Sequence, residues 1–259
     1  MPTTAAPATA LSELLTAADV AGSLWAAIDS GAMDGLVPEL AALRMEQDPV
    51  HRHKDVLAHT IAVVAKTPDD LIVRLAALFH DIAKPRTRSF EHGGVTFRHH
   101  EMVGSRMARK RLIELGYPDE IVNDVSELVR LSGRFKGYAD GWSDAAIRRY
   151  ARDAGPLLGR LNALIRSDST TRNQAKADAL QALIDDLEGR IAELAEEDRR
   201  AAERPQIDGA TVMAHLGLEP GPEVGRIMRW LLDLKRTEGE LAEPDLLERL
   251  DSYWKTNLG

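Results

Sequence analysis

The sequence predicts a nearly all-α protein: a helical bundle with one short β-hairpin and a C-terminal helical extension. Three observations carry this. Apolar residues recur every three or four positions through most of the chain, and Ser, Asp, Gly or Pro punctuates the runs. Only one stretch, SFEHGGVTF (89–97), alternates as a strand does, with Gly93-Gly94 at its turn. A long segment, 172–202, contains no Pro and steps through Leu180, Ile184, Leu187, Ile191 and Leu194 as one helical seam.

Taken in order, residues 1–9 are rich in Pro, Ala and Thr and are expected to fray. Leu11 to about Asp29 reads as one helix, stopped at Ser30-Gly31. A turn and a short helix follow over 33–45, with Pro38 near the start. Asp55 to Lys66 is a helix with an apolar stripe of Val56, Ile61, Val63 and Val64. Pro68-Asp69-Asp70 opens the next helix, which is expected to run to Ala83 and to break at Pro85. After the hairpin, 99–115 is a helix ended by Gly116 and Pro118, and Asp119 to Leu131 is another. GRFKGYADGW (133–142) is a Gly-rich loop, Ser143 caps the helix after it, and Pro156 opens LLGRLNALIRSD. The seam of 172–202 suits either a coiled coil or packing on the parent domain. Asp186/Arg190 and Glu196/Arg200 are spaced as i,i+4 ion pairs. Composition shifts near Arg204-Pro205, and the rest reads as helix, turn, helix, with Pro222 at a helix start. These breaks suggest N-terminal helices over 1–48, a central domain over 49–170 and a helical region over 171–259.

Composition narrows the function classes. The net charge of −8 argues against sequence-independent nucleic-acid binding over the whole surface, and no DNA partner is expected, although local basic patches stay open. No cysteine is present, so any metal must be held by His and carboxylate. No apolar run approaches the roughly 20 residues that span a bilayer. The first residues lack a secretory pattern. A cytoplasmic protein without membrane contact is expected.

The stretch LAALFHDIAK (75–84) stands apart. An apolar helical run ends in His80-Asp81, and burying such groups is costly unless they are paired or coordinate a metal. A His-Asp pair simply breaking the surface is the alternative. His59 precedes this stretch, and His100 and Asp168 follow it. These N and O donors suit Mn, Fe, Ni, Zn or Mg. A divalent ion so held activates water and polarises a phosphoryl oxygen, which is hydrolytic chemistry. Lys84, one turn past His80, could meet a phosphate as a point charge, and Arg86 follows it. Arg172, one turn after Asp168, could reach a phosphate or form an ion pair. His51 and His53 could line an entrance or cap a helix, while His92 and His215 have no assigned role. Of His99 and His100, about 100° apart on a helix, only one should face a site. Arg106, Lys110 and Arg111 form a basic face that could meet RNA phosphate or solvent.

The series H…HD…D resembles the HD-domain superfamily of metal-dependent phosphohydrolases. HRHKDVLAHT, LAALFHDIAKPRTRSFEHGGVTFRHHEMVG, YADGWSDAAIRRYARDAGPLL and RSDSTTRN, with GLVPELAALRME before and DGATVMAHLGLEPGPEVG after, resemble the C-terminal half of bacterial CCA-adding tRNA nucleotidyltransferases of the actinobacterial type. The likeness covers roughly residues 30–240. It implies an HD helical bundle with metal ligands His59, His80, Asp81, His100 and Asp168, with His100 picked over His99. It also implies that Asp81 helps to deprotonate water. Two departures matter. The nucleotidyltransferase head is absent from this sequence, so CCA addition by this chain alone is not expected. Ser132 and Lys136 stand where the family pattern carries histidines, so one firmly bound ion is expected rather than two.

The expected function is a stand-alone phosphomonoesterase or phosphodiesterase, including 2′,3′-cyclic phosphate, acting on a nucleotide or an RNA 3′ end, possibly that of tRNA. A non-catalytic tRNA-binding module, or a partner for a separate nucleotidyltransferase head, is the alternative. An HD-fold di-iron oxygenase is a remote third.

Overall fold

A computed structural model describes residues 6–45, 55–91, 94–171 and 173–258. It is an all-α bundle with a single two-stranded hairpin among the described residues. The chain divides into two compact units, 1–192 and 193–259.

The first unit begins with α1 (Pro7–Leu15), α2 (Val20–Asp29) and α3 (Ala32–Leu36), followed by a 3-10 segment, Pro38–Leu43. The single helix expected over Leu11–Asp29 is therefore two. The break has local causes: the Thr16 hydroxyl bonds back to the Ser12 carbonyl (2.9 Å), and Asp19 restarts the helix by accepting from the Gly22 amide (2.9 Å). α4 (Val56–Lys66) is capped by Asp55, which accepts from the Ala58 amide at 2.6 Å.

α5 (Leu71–Phe79) is the central rod. Its sequence, LIVRLAALF, is apolar on nearly every side, and Val73 and Leu75 through Phe79 are buried. α4, α8 (Asp119–Leu131) and α10 (Leu158–Asp168) pack around it. The helix ends at Phe79 rather than at the expected Ala83. Pro85 limits a helix only near Ala83, since its clash falls on the carbonyl four residues back, so the earlier end is set by the turn itself. Residues 80–83 form a tight turn, with Ile82 N bonded to Phe79 O (3.1 Å) and Lys84 N to Asp81 O (3.0 Å). Pro85 then sits in the first turn of the short α6 (Lys84–Thr87).

β1 (Arg88–Glu91) and β2 (Gly94–Phe97) make the expected antiparallel hairpin. α7 (His100–Leu115) lies against α8 and ends at Gly116. There φ is +86°, and Gly116 N and Tyr117 N bond Ile113 O and Leu112 O at 3.0 Å each. The Gly-rich loop is a 3-10 segment, Arg134–Asp140, and Ser143 caps α9 (Asp144–Ala154) as expected. Arg111 on the basic face pairs with Glu39 (2.7 Å) and Glu114 (2.8 Å).

α11 (Gln174–Ala202) carries the Leu/Ile seam, and Ile184 and Leu187 are fully buried. Within the first unit its polar side chains tie it to the parent domain: Glu188 accepts from Asn162 (2.9 Å), and Asp185 pairs with Arg166 (2.6 Å). Asp186 accepts from Tyr138, and Arg190 pairs with Asp144. Glu196 and Arg200 form their i,i+4 pair at 2.6 Å.

The second unit has its own small core of Val212, Ile227, Leu231 and Leu250, drawn from α12 (Gly209–Leu216), α13 (Pro222–Glu238) and α14 (Glu243–Asn257). Trp230 stacks on Tyr253 at 4.2 Å, and His215 pairs with Asp251 at 2.9 Å.

Asp70 fixes the start of the central rod. One carboxylate oxygen accepts from the Ile72 (2.9 Å) and Val73 (3.2 Å) amides, and the other from Arg160 (2.9 Å). Partial burial would raise its pKa, but these bonds outweigh it and hold the carboxyl below its ordinary value. Asp70→Ala should lower unfolding free energy by about 1–2 kcal/mol in urea titration, and Asp70→Asn by less, because the amide oxygen still caps. A folded pKa below the unfolded one stabilises above the unfolded value. That increment should be present near neutrality, vanish as pH falls through the folded value, and be missing from the pH profile of Asp70→Asn.

Candidate metal centre

The turn after α5 places His80 and Asp81 inside the bundle, at 4% and 2% exposure. α4 delivers His59 and the end of α10 delivers Asp168 to the same point. His59 Nε2 lies 3.0 Å from Asp168 Oδ1 and 3.7 Å from Asp81 Oδ2. His80 Nε2 lies 3.2 Å from Asp81 Oδ2 and 3.5 Å from Asp168 Oδ1. Ligand atoms of His59, His80 and Asp168 all fall within 4.8 Å of one another. Two donors each about 2.1 Å from one ion, at tetrahedral or octahedral angles, stand about 3.0–3.4 Å apart, so these spacings fit a common ion.

The hydrogen bonds behind the rings aim the donors inward. His80 Nδ1 is 2.7 Å from the Ala77 carbonyl, which can only accept, so Nδ1 carries the proton. Its Nε2 is buried, faces two carboxylates and, among the described residues, has no hydrogen-bond partner. Lone pairs facing carboxylates repel unless a cation lies between them. Burial lowers the His80 pKa, but the charges of Asp81 and Asp168 override it and push it up to about 10. The site thus demands a proton or a metal ion at Nε2. His59 Nδ1 meets Thr170 Oγ1 at 2.9 Å, which likewise leaves Nε2 for the centre.

His100 reaches the other oxygen of Asp81, with Nε2 3.6 Å from Oδ1. Its Nδ1 donates to the Phe97 carbonyl at 2.7 Å, and burial, the largest influence, lowers its pKa, so the ring is neutral near pH 7. His99 is not on the helix. It adopts φ +60° at the junction of β2 and α7 and is exposed. That left-handed turn brings His100 to the centre, and an asymmetry argued from helical spacing alone therefore has a different origin. Lys84 is buried and donates to Asp81 Oδ2 at 2.7 Å. With this pairing and the His80 charge, Asp81 stays ionised despite its burial.

The donors line a cavity of about 400 Å³ with Phe97, Ser132, Gly133 and Lys136. The Ser132 hydroxyl donates to Val129 O at 2.9 Å. Lys136 pairs with Glu101 at 3.1 Å, and Glu101 lies 3.5 Å from His100 Nδ1. Arg86 is exposed on α6 and is not among the lining residues. Arg172, His51, His53 and His92 lie outside the described residues. Thr170, Glu101, Gly133 and the Ala77 and Phe97 carbonyls escaped the sequence reading. The carbonyls leave no residue signature at all.

The HD-domain family matches residues 55–197, a span that includes all five donors. The chain belongs to the HD-domain family. HD domains bind divalent metals, and the donor set fits that property. A CC-adding tRNA nucleotidyltransferase of Thermus thermophilus is 34% identical over 235 residues, covering 87% of this chain and 51% of the relative. An A-adding tRNA nucleotidyltransferase of Deinococcus radiodurans is 30% identical over 251 residues, covering 94% of this chain and 57% of the relative. The chain thus spans about half the length of the curated relatives it matches. Among the described residues, no helix is long and apolar enough to cross a membrane.

Metal content tests the HD centre directly. Incubation with Mn, Fe, Ni or Zn should load the protein and raise its unfolding temperature, and chelator should reverse this. Asp168→Ala, at a side chain 49% exposed, should fold yet lose the bound ion. Thr170→Val should weaken metal affinity about 10- to 100-fold by releasing the His59 ring. Equal loading of all three proteins in elemental analysis would refute the assignment.

Proposed function

We propose that this chain is a metal-dependent phosphohydrolase. It opens a 2′,3′-cyclic phosphate, or cleaves another phosphomonoester or phosphodiester, on a nucleotide or an RNA 3′ end. The observation that carries the reading is the buried, unpartnered His80 Nε2 converging with His59, Asp81 and Asp168 beside a lysine-lined cavity. On this reading His59, His80, Asp81 and Asp168 hold one divalent ion firmly, with His100 beside them. Ser132 spends its hydroxyl on its own helix, which argues against a second firmly held ion. The ion supplies electrophilic polarisation of a phosphoryl oxygen and an acidified water.

The protein's own groups account for the rest. Lys84 balances the Asp81 charge and presents an ammonium to the phosphate. The Asp81 carboxylate, or the neutral His100 ring, takes a proton from water as its oxygen bonds to phosphorus. The scissile P–O bond breaks, and the departing sugar oxygen receives the proton back. The substrate class rests on the similarity to tRNA nucleotidyltransferases.

The same similarity favours one other reading, a tRNA-binding module without hydrolysis. Metal-loaded protein assayed on cyclic and open nucleotide phosphates decides between them. Asp81→Asn keeps the shape but removes the charge, and kcat/KM should fall at least about 10²-fold. Tight tRNA binding with no turnover under any of the metals would sink the hydrolase reading.

A further inference from the structure

The hairpin contributes more than a wall to this cavity. Its register places Arg88 opposite Phe97 and Phe90 opposite Val95. Directly opposed residues project from the same face of a ribbon, so these four share one face. Ser89 and Thr96 share the other, where their hydroxyls meet at 2.7 Å. The inner end of the first face belongs to the HD site: Phe97 lines the cavity, and Lys84 Nζ lies 5.6 Å from the centre of its ring. Two residues outward, about 7 Å along the strand, is the Phe90–Val95 pair.

Phe90 is 72% exposed, the most exposed large hydrophobic side chain among the described residues. Single exposed hydrophobics are ordinary on a protein surface. This one differs in its company and its place. The Arg88 guanidinium carbon sits 5.1 Å from the Phe90 ring centre, and Arg88 Nε makes no hydrogen bond among the described residues. An aromatic ring backed by a guanidinium, on a face that runs to a cavity lined by Lys84, Lys136 and the metal donors, is the arrangement that single-stranded nucleic-acid sites use to stack bases. Phe97 lines the cavity of about 400 Å³, so a base attached to a phosphate held there can extend along the same ribbon face to Phe90.

We propose that the Arg88–Phe90–Val95 face of the hairpin is a nucleobase subsite, with Phe90 as the stacking platform for the base carried by the phosphate at the metal centre. This rests on the phosphohydrolase reading and sharpens it, since the substrate is then a base-bearing phosphate rather than any small phosphoester. Stacking tolerates every base, so the subsite selects for a base but not among bases.

Two measurements on metal-loaded protein test this. The first is quenching of 2-aminopurine fluorescence, using 2-aminopurine riboside monophosphate and a short RNA ending in 2-aminopurine. The second is the ratio of kcat/KM for a nucleoside 2′,3′-cyclic phosphate to that for a base-free cyclic phosphodiester. In Phe90→Ala the half-saturation for quenching should rise, and the ratio should fall, each roughly 5- to 150-fold. Phe90→Trp should retain both, and Ile113→Ala, at another exposed hydrophobic position, should match the parent. Tighter binding of the RNA than of the mononucleotide would place a chain end in the subsite, and equal binding a free nucleotide. Quenching that depends on Phe90 without turnover of either ester would keep the subsite and discard the hydrolase. Turnover with both quantities unchanged in Phe90→Ala would keep the hydrolase and overturn the subsite.

Discussion

Asp81 is a carboxylate with 3% side-chain exposure, set where the central helix stops, and a charge so placed must be answered from close by. Lys84 answers it from three residues on, and His80, His59 and His100 surround it. Each of these groups arrives on a different turn or helix. The packing of α4 and α7 on α5, with Lys84 at the start of α6, is therefore also the arrangement that compensates one buried charge. The tight turn after Phe79 holds Asp81 and Lys84 side by side, with Lys84 N bonded to Asp81 O at 3.0 Å.

The imidazoles gain direction from the backbone. The Ala77 and Phe97 carbonyls accept from Nδ1 of His80 and His100, so both rings turn Nε2 towards the carboxylates. The same packing buries the Nε2 of His80. Burial and tautomer together make a site that favours a cation, and neither would do so alone.

Much of this could be read in the sequence where the signal was local. Ser143 caps α9, and Asp119 to Leu131 has the bounds expected of it, because caps and breakers act within a turn of themselves. The hairpin was legible for the same reason. The Thr16–Asp19 break was not, since it is made by side chains bonding to backbone without a Gly or Pro to mark it. At the centre, ligand atoms of His59, His80 and Asp168 lie within 4.8 Å of one another and Asp81 and His100 stand beside them, while Arg86 is exposed and does not line the cavity. Thr170 and Glu101 could not have been singled out, because their importance comes from what the fold brings beside them.

The two oxygens of Asp81 face different company. Oδ2 looks towards His59, His80 and Lys84, where a carboxylate from Asp168 completes a donor set. Oδ1 looks towards His100, and beyond it stand Glu101 and Lys136. A Cβ at position 133 would collide with the Glu101 carboxylate, so glycine there lets Glu101 lie between His100 and Lys136. On the second side the Lys136 ammonium engages Glu101, and the nearby Ser132 hydroxyl is turned to its own helix. The proposed preference for one ion follows from this unequal division. It is a property of three neighbouring positions, 101, 133 and 136, acting together, and not of the serine alone.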